Sequence, residues 1–151
     1  MRERKINIGS LMPIIEEKLA EGGEVVFSPN GTSMLPTIKA GRDTVVLVSP
    51  PKRLRKYDIA LFKRADGKYV MHRVIGVGNT YTFIGDNQFE YERNVECEDI
   101  IALCVARERA GKRVRLDSPL SRIFAFLWHS IRPIRRLYLV GKRKLASIFK
   151  K

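Results

Sequence analysis

Cysteine and histidine are scarce in this sequence, and long apolar runs are absent. The chain has two cysteines and two histidines in 151 residues, without the spacing of metal ligands. Cys97 and Cys104 lie in and near strand-like segments, so we expect them to be reduced, small apolar residues. No stretch reaches the roughly 18 uninterrupted apolar residues of a spanning helix, and the N-terminus lacks the apolar block of a signal peptide. We therefore expect no zinc site, no signal peptide and no transmembrane helix.

Acidic residues are scarce in only one part of the chain. The whole sequence has 29 Lys or Arg and 16 Asp or Glu, for a net charge of +13, in a composition typical of a single globular domain. Residues 1–106 carry 15 basic and 14 acidic side chains, whereas residues 107–151 carry 14 basic and 2 acidic ones. A nucleic-acid-binding protein would spread positive charge over one face of its folded body. Residues 1–106, hereafter the body, thus carry a net charge of +1, and residues 107–151 carry +12. Because the body is balanced, we do not expect a nucleic acid as the partner.

The apolar pattern predicts a short helix followed by a run of strands. Ser10 is expected to cap the helix, and Gly22-Gly23 to end it. Asp66-Gly67, between two apolar runs, predicts a hairpin. The predicted strands are short runs rich in Val, Ile, Tyr and Phe, at residues 24–27, 44–48, 58–62, 69–77, 81–84 and 100–106. Strands of this length and spacing favour a mainly β fold with a partly closed antiparallel sheet.

The same pattern divides the chain into three parts. Residues 1–23 are predicted to form an N-terminal helix, residues 24–117 a β domain, and residues 118–151 a basic, amphipathic helical segment, hereafter the basic tail. Before Pro133, which we expect to break the first tail helix, apolar residues recur at spacings of three and four: Leu120, Ile123, Phe124, Leu127, Trp128 and Ile131. A second cationic segment follows, and the arginines within residues 120–140 make burial in hydrocarbon costly.

Two interpretations of the basic tail remain open at this stage. Cations interleaved with aromatic and aliphatic residues are typical of a helix pair that lies on an anionic membrane surface, here through residues 119–151. Alternatively, the first helix packs on the body and the rest is a solvated cationic end. We accordingly expect a protein that is cytoplasmic or peripheral on the membrane.

The strongest local feature is the segment Gly-Thr-Ser-Met-Leu-Pro-Thr at residues 31–37. A serine between a glycine turn and a proline-restrained segment can be held exposed with its backbone N–H free. A nucleophile and half of an oxyanion hole need that arrangement. The alternative is a solvated turn, since Ser, Thr and Pro are common in turns. Ser33 is therefore a candidate nucleophile.

One histidine and two carboxylates are candidate partners of that serine. His72 shares a strand face with Val70 and Val74, which is typical either of a buried core histidine or of a partly desolvated general base. A carboxylate beside the imidazole would fix its tautomer and stabilise the imidazolium. Asp86, in an Asx-type turn, and Glu92 are the candidate orienting carboxylates.

Four motifs occur in a definite order: Gly-x-Ser-Met-x-Pro-Thr, an Asp-Ile-x-x-Phe strand, His-Arg-Val-Ile and Gly-Asp-Asn. This series, over about residues 25–106, resembles the signal peptidase I superfamily of serine peptidases, which includes the self-cleaving SOS-repressor proteases. The resemblance implies that Ser33 is the nucleophile, that Met34 lies at the substrate-binding edge and that His72 is the general base. Common bacterial signal peptidases use lysine as the base, so the chain looks like the histidine branch found in endoplasmic-reticulum, archaeal and spore-former enzymes. In that branch an aspartate several residues after Gly-Asp-Asn assists the histidine, and that position falls near Glu92.

The sequence also departs from the pattern of this family. Gly31 stands where signal peptidases usually have an oxyanion-donating serine, which leaves the Ser33 N–H and the Thr32 hydroxyl as the donors. The expected Gly-Asp pair is split, as Gly41-Arg42-Asp43. Signal peptidases normally have a spanning anchor before the serine, whereas this chain is predicted to have a short helix there.

The resemblance thus implies a serine endopeptidase that cleaves signal or leader peptides with a Ser33/His72 dyad. Its partner would be a peptide or protein substrate that binds in extended conformation, by backbone pairing at a sheet edge. No metal and no organic cofactor would be needed. Two alternatives remain: a binding or regulatory module that keeps the fold without turnover, and a dedicated maturation protease for one small peptide.

Overall fold

The computed structural model describes residues 8–148 as three α-helices and one eight-stranded antiparallel sheet. Helix and strand take nearly equal shares, ~32% and 31%. The predicted N-terminal helix, antiparallel sheet and helical basic tail are confirmed, but the class is mixed α/β rather than mainly β, because the three helices together contain as large a share of the chain as the strands do. The sheet is also open rather than partly closed, since its two edge strands do not pair with each other within residues 8–148.

Along the chain, one helix is followed by eight strands and then by two helices. The helices are α1 (Ile8–Ala20), α2 (Pro119–Ser130) and α3 (Arg132–Ile148). The strands are β1 (Val25–Phe27), β2 (Thr44–Val48), β3 (Ile59–Lys63), β4 (Tyr69–Val77), β5 (Tyr81–Ile84), β6 (Glu92–Val95), β7 (Ile100–Arg109) and β8 (Lys112–Arg115). The order in the sheet is β1-β2-β7-β3-β4-β5-β6, and β8 pairs with the last part of β7.

Six strands lie where the sequence predicts them, and β6 and β8 are additional. Both additional strands are rich in charged residues, ERNV and KRVR, so they lack the apolar alternation that indicates a strand. The predicted hairpin at Asp66-Gly67 is confirmed: Gly67 has a φ of +82°, and Lys63 of β3 is opposite Tyr69 of β4. α1 ends before Gly22 as predicted. It begins at Ile8, however, so Ser10, the predicted cap, lies inside the helix.

The core lies on both faces of the sheet. On one face, α1 contributes Met12, Ile15 and Leu19 to a cluster with residues of β2, β3 and β7. The cluster on the other face consists of Leu54, Ala60, Phe62, Val74, Tyr81, Phe83 and Val95. β3 supplies both clusters, because its alternate residues point to opposite faces. Both cysteines are free, and burial raises the pKa of the Cys104 thiol to about 12.

The basic tail forms two helices that are separated at Ile131. Ser118 caps α2, because its hydroxyl accepts a hydrogen bond from the Ser121 N–H at 3.2 Å. The break expected at Pro133 lies two residues earlier, and Pro133 occupies the first turn of α3, where its missing N–H removes no helical bond. None of the helices formed by residues 8–148 is long and apolar enough to cross a membrane.

Candidate active site

Ser33 lies in the loop that joins β1 to β2, hereafter the serine loop. Two overlapping turns shape it: the Leu35 N–H donates to the Thr32 carbonyl at 3.2 Å, and the Ile38 N–H donates to the Met34 carbonyl at 2.9 Å. Ser33 is half-buried, and its N–H donates to no acceptor within residues 8–148. A free N–H beside a half-buried hydroxyl is the arrangement expected of a nucleophile with half of an oxyanion hole.

The turn at Gly85-Asp86-Asn87 fastens the serine loop to the end of β5. The Asn87 N–H donates to the Ser33 carbonyl at 2.8 Å, and the Asn87 side-chain amide donates to the Thr32 carbonyl at 3.2 Å. A Cβ placed on Gly85 would lie 2.6 Å from the Ser33 carbonyl oxygen, closer than real side chains come. The close approach of these two backbone segments therefore requires glycine at this position.

His72 is buried in β4, opposite Ala60 of β3, with 1% of its surface exposed. The Phe62 ring packs edge-on with the imidazole at a centroid distance of 6.3 Å. Burial lowers the pKa of His72 below 6.5, against the opposing effect of Glu92, so the imidazole is neutral near pH 7. A neutral imidazole can accept a proton, which is what a general base must do.

Glu92, at the start of β6, is the carboxylate that reaches His72. Its Oε1 lies 2.6 Å from His72 Nδ1, although the oxygen is out of line with the direction of a hydrogen bond. Arg64 donates to both Glu92 oxygens, each at 2.6 Å. Burial raises the pKa of Glu92, but the Arg64 hydrogen bonds and the His72 contact outweigh it and lower that pKa. Glu92 is thus ionised at neutral pH and favours the imidazole tautomer with its proton on Nδ1.

Asp86 forms no hydrogen bond with His72 and instead joins three segments of the chain. Its buried carboxylate accepts two hydrogen bonds from the Arg73 guanidinium, both at 2.7 Å. Thr37, from the serine loop, donates to the same carboxylate, and Nε2 of His129 in α2 lies 3.0 Å from Oδ1. Burial raises the pKa of Asp86, but the hydrogen bonds from Arg73 and His129 outweigh it and hold that pKa well below its usual range. Of the two candidate orienting carboxylates, the structure brings only Glu92 to the imidazole.

Ser33 and His72 lie on neighbouring segments without a hydrogen bond between them. Ile84, the last residue of β5, pairs with Arg73, the residue after His72 in β4, and the serine loop is fastened to the turn that follows Ile84. In the described part of the chain, the polar contact of the imidazole is with Glu92, and none is formed with Ser33 Oγ. Catalytic hydrogen bonds are often long before a substrate is bound and shorten in the complex.

A cavity of about 400 Å³ opens beside Ser33. Its wall includes Phe27 of β1, Met34 of the serine loop and Met71 of β4, whereas His72 does not line it. β1 is an edge strand that pairs only with β2 among the described residues, so its outer edge can accept a further strand. Met34 lies at this predicted substrate edge, although most of its side chain is buried in the core.

The remaining predicted features lie in the serine loop itself. Thr32, a candidate oxyanion donor, is exposed. Asp43, from the split Gly-Asp pair, is buried and accepts two hydrogen bonds from Arg109. These hydrogen bonds lower the pKa of Asp43 to about 2, against the opposing effect of burial. Asp43 therefore stabilises the turn between the serine loop and β2 and does not reach the imidazole.

Four residues of the site lie outside the set predicted from the sequence: Thr37, Arg64, Arg73 and His129. Arg73 carries a usable signal, because strand alternation places it on the opposite face from His72, in the middle of an apolar strand. A cation at such a position needs a buried carboxylate. The other three come from segments that are far apart in the chain, and nothing in the sequence indicates that they meet.

The site combines a half-buried serine with a free N–H, a neutral buried imidazole and an ionised carboxylate at Nδ1. Acyl transfer by a serine needs a nucleophile and a base, and a group that orients the base can assist it. Among residues 8–148, no group of three or more His, Cys, Asp or Glu side chains could hold a metal ion. No model of a known protein family matches the chain, and no curated protein is significantly similar to it.

Proposed function

We propose that this protein is a serine endopeptidase of the signal-peptidase-like fold, with Ser33 as the nucleophile and His72 as the general base. One observation carries the proposal: a buried, neutral imidazole has its Nδ1 against an ionised Glu92, and the serine loop is fastened to the end of β5, the strand that pairs with the one carrying His72. The order of the four sequence motifs supports the same assignment.

In this mechanism Ser33 Oγ attacks the carbonyl carbon of the scissile peptide while His72 Nε2 takes the hydroxyl proton. The carbonyl oxygen becomes an oxyanion, which the Ser33 N–H stabilises. His72 then gives the proton to the leaving amine, the C–N bond breaks and an acyl ester remains on Ser33. A water molecule, deprotonated by His72, hydrolyses the ester and restores the serine hydroxyl. Glu92 acts through His72, because it holds the Nδ1–H tautomer and stabilises the imidazolium.

The substrate in this proposal is a peptide segment in extended conformation. Main-chain hydrogen bonds to the outer edge of β1 would hold it, and the cavity beside Ser33 would receive a side chain. The resemblance to signal peptidases favours signal or leader peptides, with small side chains next to the cleaved bond. A protease dedicated to the maturation of one small peptide would use the same groups in the same way.

A second candidate is a binding module that has this site but does not turn over. One arrangement favours it: Arg64 shares the Glu92 carboxylate with His72, and its positive charge lowers the pKa of His72 further. No hydrogen bond joins Ser33 Oγ to the imidazole. In such a protein the site would bind an extended peptide without cleaving it.

Labelling with a serine-reactive fluorophosphonate probe tests the proposal. We expect the wild-type protein to be labelled and the Ser33→Ala variant to remain unlabelled, because the probe needs an activated hydroxyl. Ser28→Ala is the matched control, since Ser28 is exposed and lies at the end of β1. His72→Ala should reduce both labelling and peptide cleavage, because it removes the base.

Two results would contradict the peptidase. Labelling of Ser33→Ala at the wild-type level would place the reactive hydroxyl elsewhere. Absence of labelling in the wild type, together with binding but no cleavage of signal-peptide sequences, would favour the binding module.

A further inference from the structure

The outer face of the basic tail is apolar and uncovered. In α3, the residues at helical spacing on this face are 58–73% exposed: Ile134, Leu137, Tyr138, Leu145 and Ile148. In α2, the corresponding residues are 41–79% exposed: Leu120, Ile123, Phe124 and Leu127, with Ile131 at the junction of the helices. These ten residues form the tail's apolar face. Contiguous apolar surface of this extent marks a contact with another apolar phase or molecule.

The polar side of α2 faces the body, which inverts the usual orientation of an amphipathic helix. Arg122 donates to the Asp58 carboxylate at 2.5 Å. The Trp128 indole N–H donates to the Asp86 carbonyl at 2.8 Å, and His129 contacts the Asp86 carboxylate. In most surface helices the apolar stripe packs on the core and the charged side meets water. Besides these groups only Ala125 of α2 is buried, so apart from Trp128 the fold leaves the apolar stripe of α2 uncovered.

α3 carries positive charge that the fold does not neutralise. It has six cations and no acidic residue: Arg132, Arg135, Arg136, Lys142, Arg143 and Lys144. Two of them turn towards the body, where Arg132 donates to the Tyr91 hydroxyl at 3.0 Å and Arg135 donates to the Asp86 carbonyl at 3.3 Å. The other four are exposed and form no ion pair within residues 8–148. Their charge is complementary to an anionic surface.

The tail's apolar face continues towards the serine loop. A groove of about 590 Å³ lies between them, and its wall includes Leu35 and Pro36 of the serine loop together with Trp128, Ile134 and Tyr138 of the tail. Most of this wall is apolar. A surface that contacts the tail would therefore also lie next to the loop that carries Ser33.

We propose that the tail's apolar face docks on an anionic lipid bilayer, with α2 and α3 lying in the plane of the interface. The apolar residues would enter the boundary between headgroups and acyl chains, and the cations of α3 would meet the lipid phosphates. A second copy of the chain fits this face less well, because pairing two such faces brings two uncompensated sets of cations together. The proposal goes beyond the peptidase, since a protein without turnover would dock in the same way.

Flotation of the full chain with lipid vesicles tests this proposal. We expect binding to vesicles of phosphatidylcholine mixed with phosphatidylserine, and much weaker binding to phosphatidylcholine alone. Lys142→Gln/Arg143→Gln/Lys144→Gln should weaken binding on the order of 100-fold, since each cation near the surface contributes about fivefold. Leu137→Asn/Leu145→Asn should weaken it more than about tenfold, through loss of apolar contact.

Three controls separate docking from folding and from catalysis. Lys39→Gln/Lys52→Gln/Arg55→Gln removes the same number of exposed charges from the body and should leave vesicle binding nearly unchanged. All of these substitutions are at exposed positions, so unaltered circular dichroism and melting are expected. Ser33→Ala should float as the wild type does, because the Ser33 hydroxyl is not part of the tail's apolar face.

Three outcomes would overturn the proposal. The first is wild-type protein that stays out of the anionic vesicle fraction, and the second is binding that both tail variants leave unchanged. The third is a dimer in analytical ultracentrifugation that Leu137→Asn/Leu145→Asn converts to a monomer, which would assign the apolar face to a second copy of the chain.

Discussion

Two carboxylates in this protein have similar chemistry and different surroundings. Asp86 is buried, and its partners come from the serine loop, β4 and α2. Glu92 keeps 19% of its side chain exposed, and its partners are Arg64 and the single imidazole of His72. The pKa of each carboxyl is lowered by its partners against the effect of burial, so the pKa direction alone does not distinguish the two roles. The two carboxylates differ instead in the number of chain segments that meet at them.

Removal of Asp86 should have the largest effect on the molecule. In Asp86→Ala, the Arg73 guanidinium would remain buried without its carboxylate, and we expect the free energy of unfolding to fall by about 3–5 kcal/mol. Denaturant unfolding measures this change. Lys68→Ala is the control, because it breaks the exposed Lys68–Asp66 pair at 3.8 Å but keeps the Lys68 N–H bond to Asp66, and the loss of such a pair should not be measurable. A loss below about 1 kcal/mol in Asp86→Ala would mean that Asp86 does not hold these segments together.

Glu92→Gln should affect cleavage more than stability, in contrast to Asp86→Ala. We expect peptide cleavage to slow on the order of 100-fold, because the amide cannot stabilise the imidazolium as the carboxylate does. The free energy of unfolding should change less than in the Asp86 variant, since Glu92 is partly exposed. Steady-state cleavage and denaturant unfolding measured on the same samples separate the two effects. Glu90→Gln, at a neighbouring exposed position, should cleave as the wild type does, and an equal slowing in both variants would remove the specific role of Glu92.

The sequence predicts those parts of the fold that are specified by local patterns. Asp66-Gly67 predicts its hairpin, because its turn geometry depends on a few adjacent residues. β8 could not be predicted, because the KRVR strand owes its conformation to pairing with β7 rather than to its own pattern. The orientation of α2 likewise depends on contacts with other parts of the chain. Its period indicates a stripe, but the buried carboxylates that its polar side contacts, Asp58 and Asp86, come from distant parts of the chain.

The candidate site could be predicted only as a set of residue types. Ser33 and His72 stand out in the sequence, whereas the choice between Asp86 and Glu92 depends on which strand follows which in the sheet. β6 returns beside β5 and brings Glu92 back to His72. Asp86 is closer to His72 in the sequence, yet it faces Arg73 across the sheet. Proximity along the chain is therefore a poor guide to the partner of a catalytic base.

Trp128→Phe tests whether the hydrogen bond from α2 to the Asp86 carbonyl stabilises the fold. The variant keeps an aromatic ring, which lies 6.0 Å from the Phe124 ring in the wild type, but it removes the indole N–H that donates to the Asp86 carbonyl. We expect the protein to lose about 1 kcal/mol of unfolding free energy, the usual contribution of one hydrogen bond. Tyr138→Phe is the control, because Tyr138 is exposed and its hydroxyl makes no hydrogen bond among the described residues. Equal stability of both variants would argue that α2 docks without help from this bond.

The smallest expected effect, a shift in the titration of one imidazole, tests the Glu92 contact most directly. Burial places the pKa of His72 below 6.5, and Glu92 raises it part of the way back. In Glu92→Gln the pKa of His72 should therefore fall further, as followed by NMR titration with His72→Gln to identify its signals among the two histidines. The unfolded chain binds the proton more tightly than the folded one, so the contribution of His72 to stability is complete above pH 6.5 and decreases as pH falls towards the folded-state pKa. Cleavage should decline as pH falls through the folded-state pKa of His72, which lies below 6.5, because the base must be unprotonated. A pKa of His72 above 6.5 in the folded protein, or one that Glu92→Gln raises, would contradict both the desolvated base and its carboxylate partner.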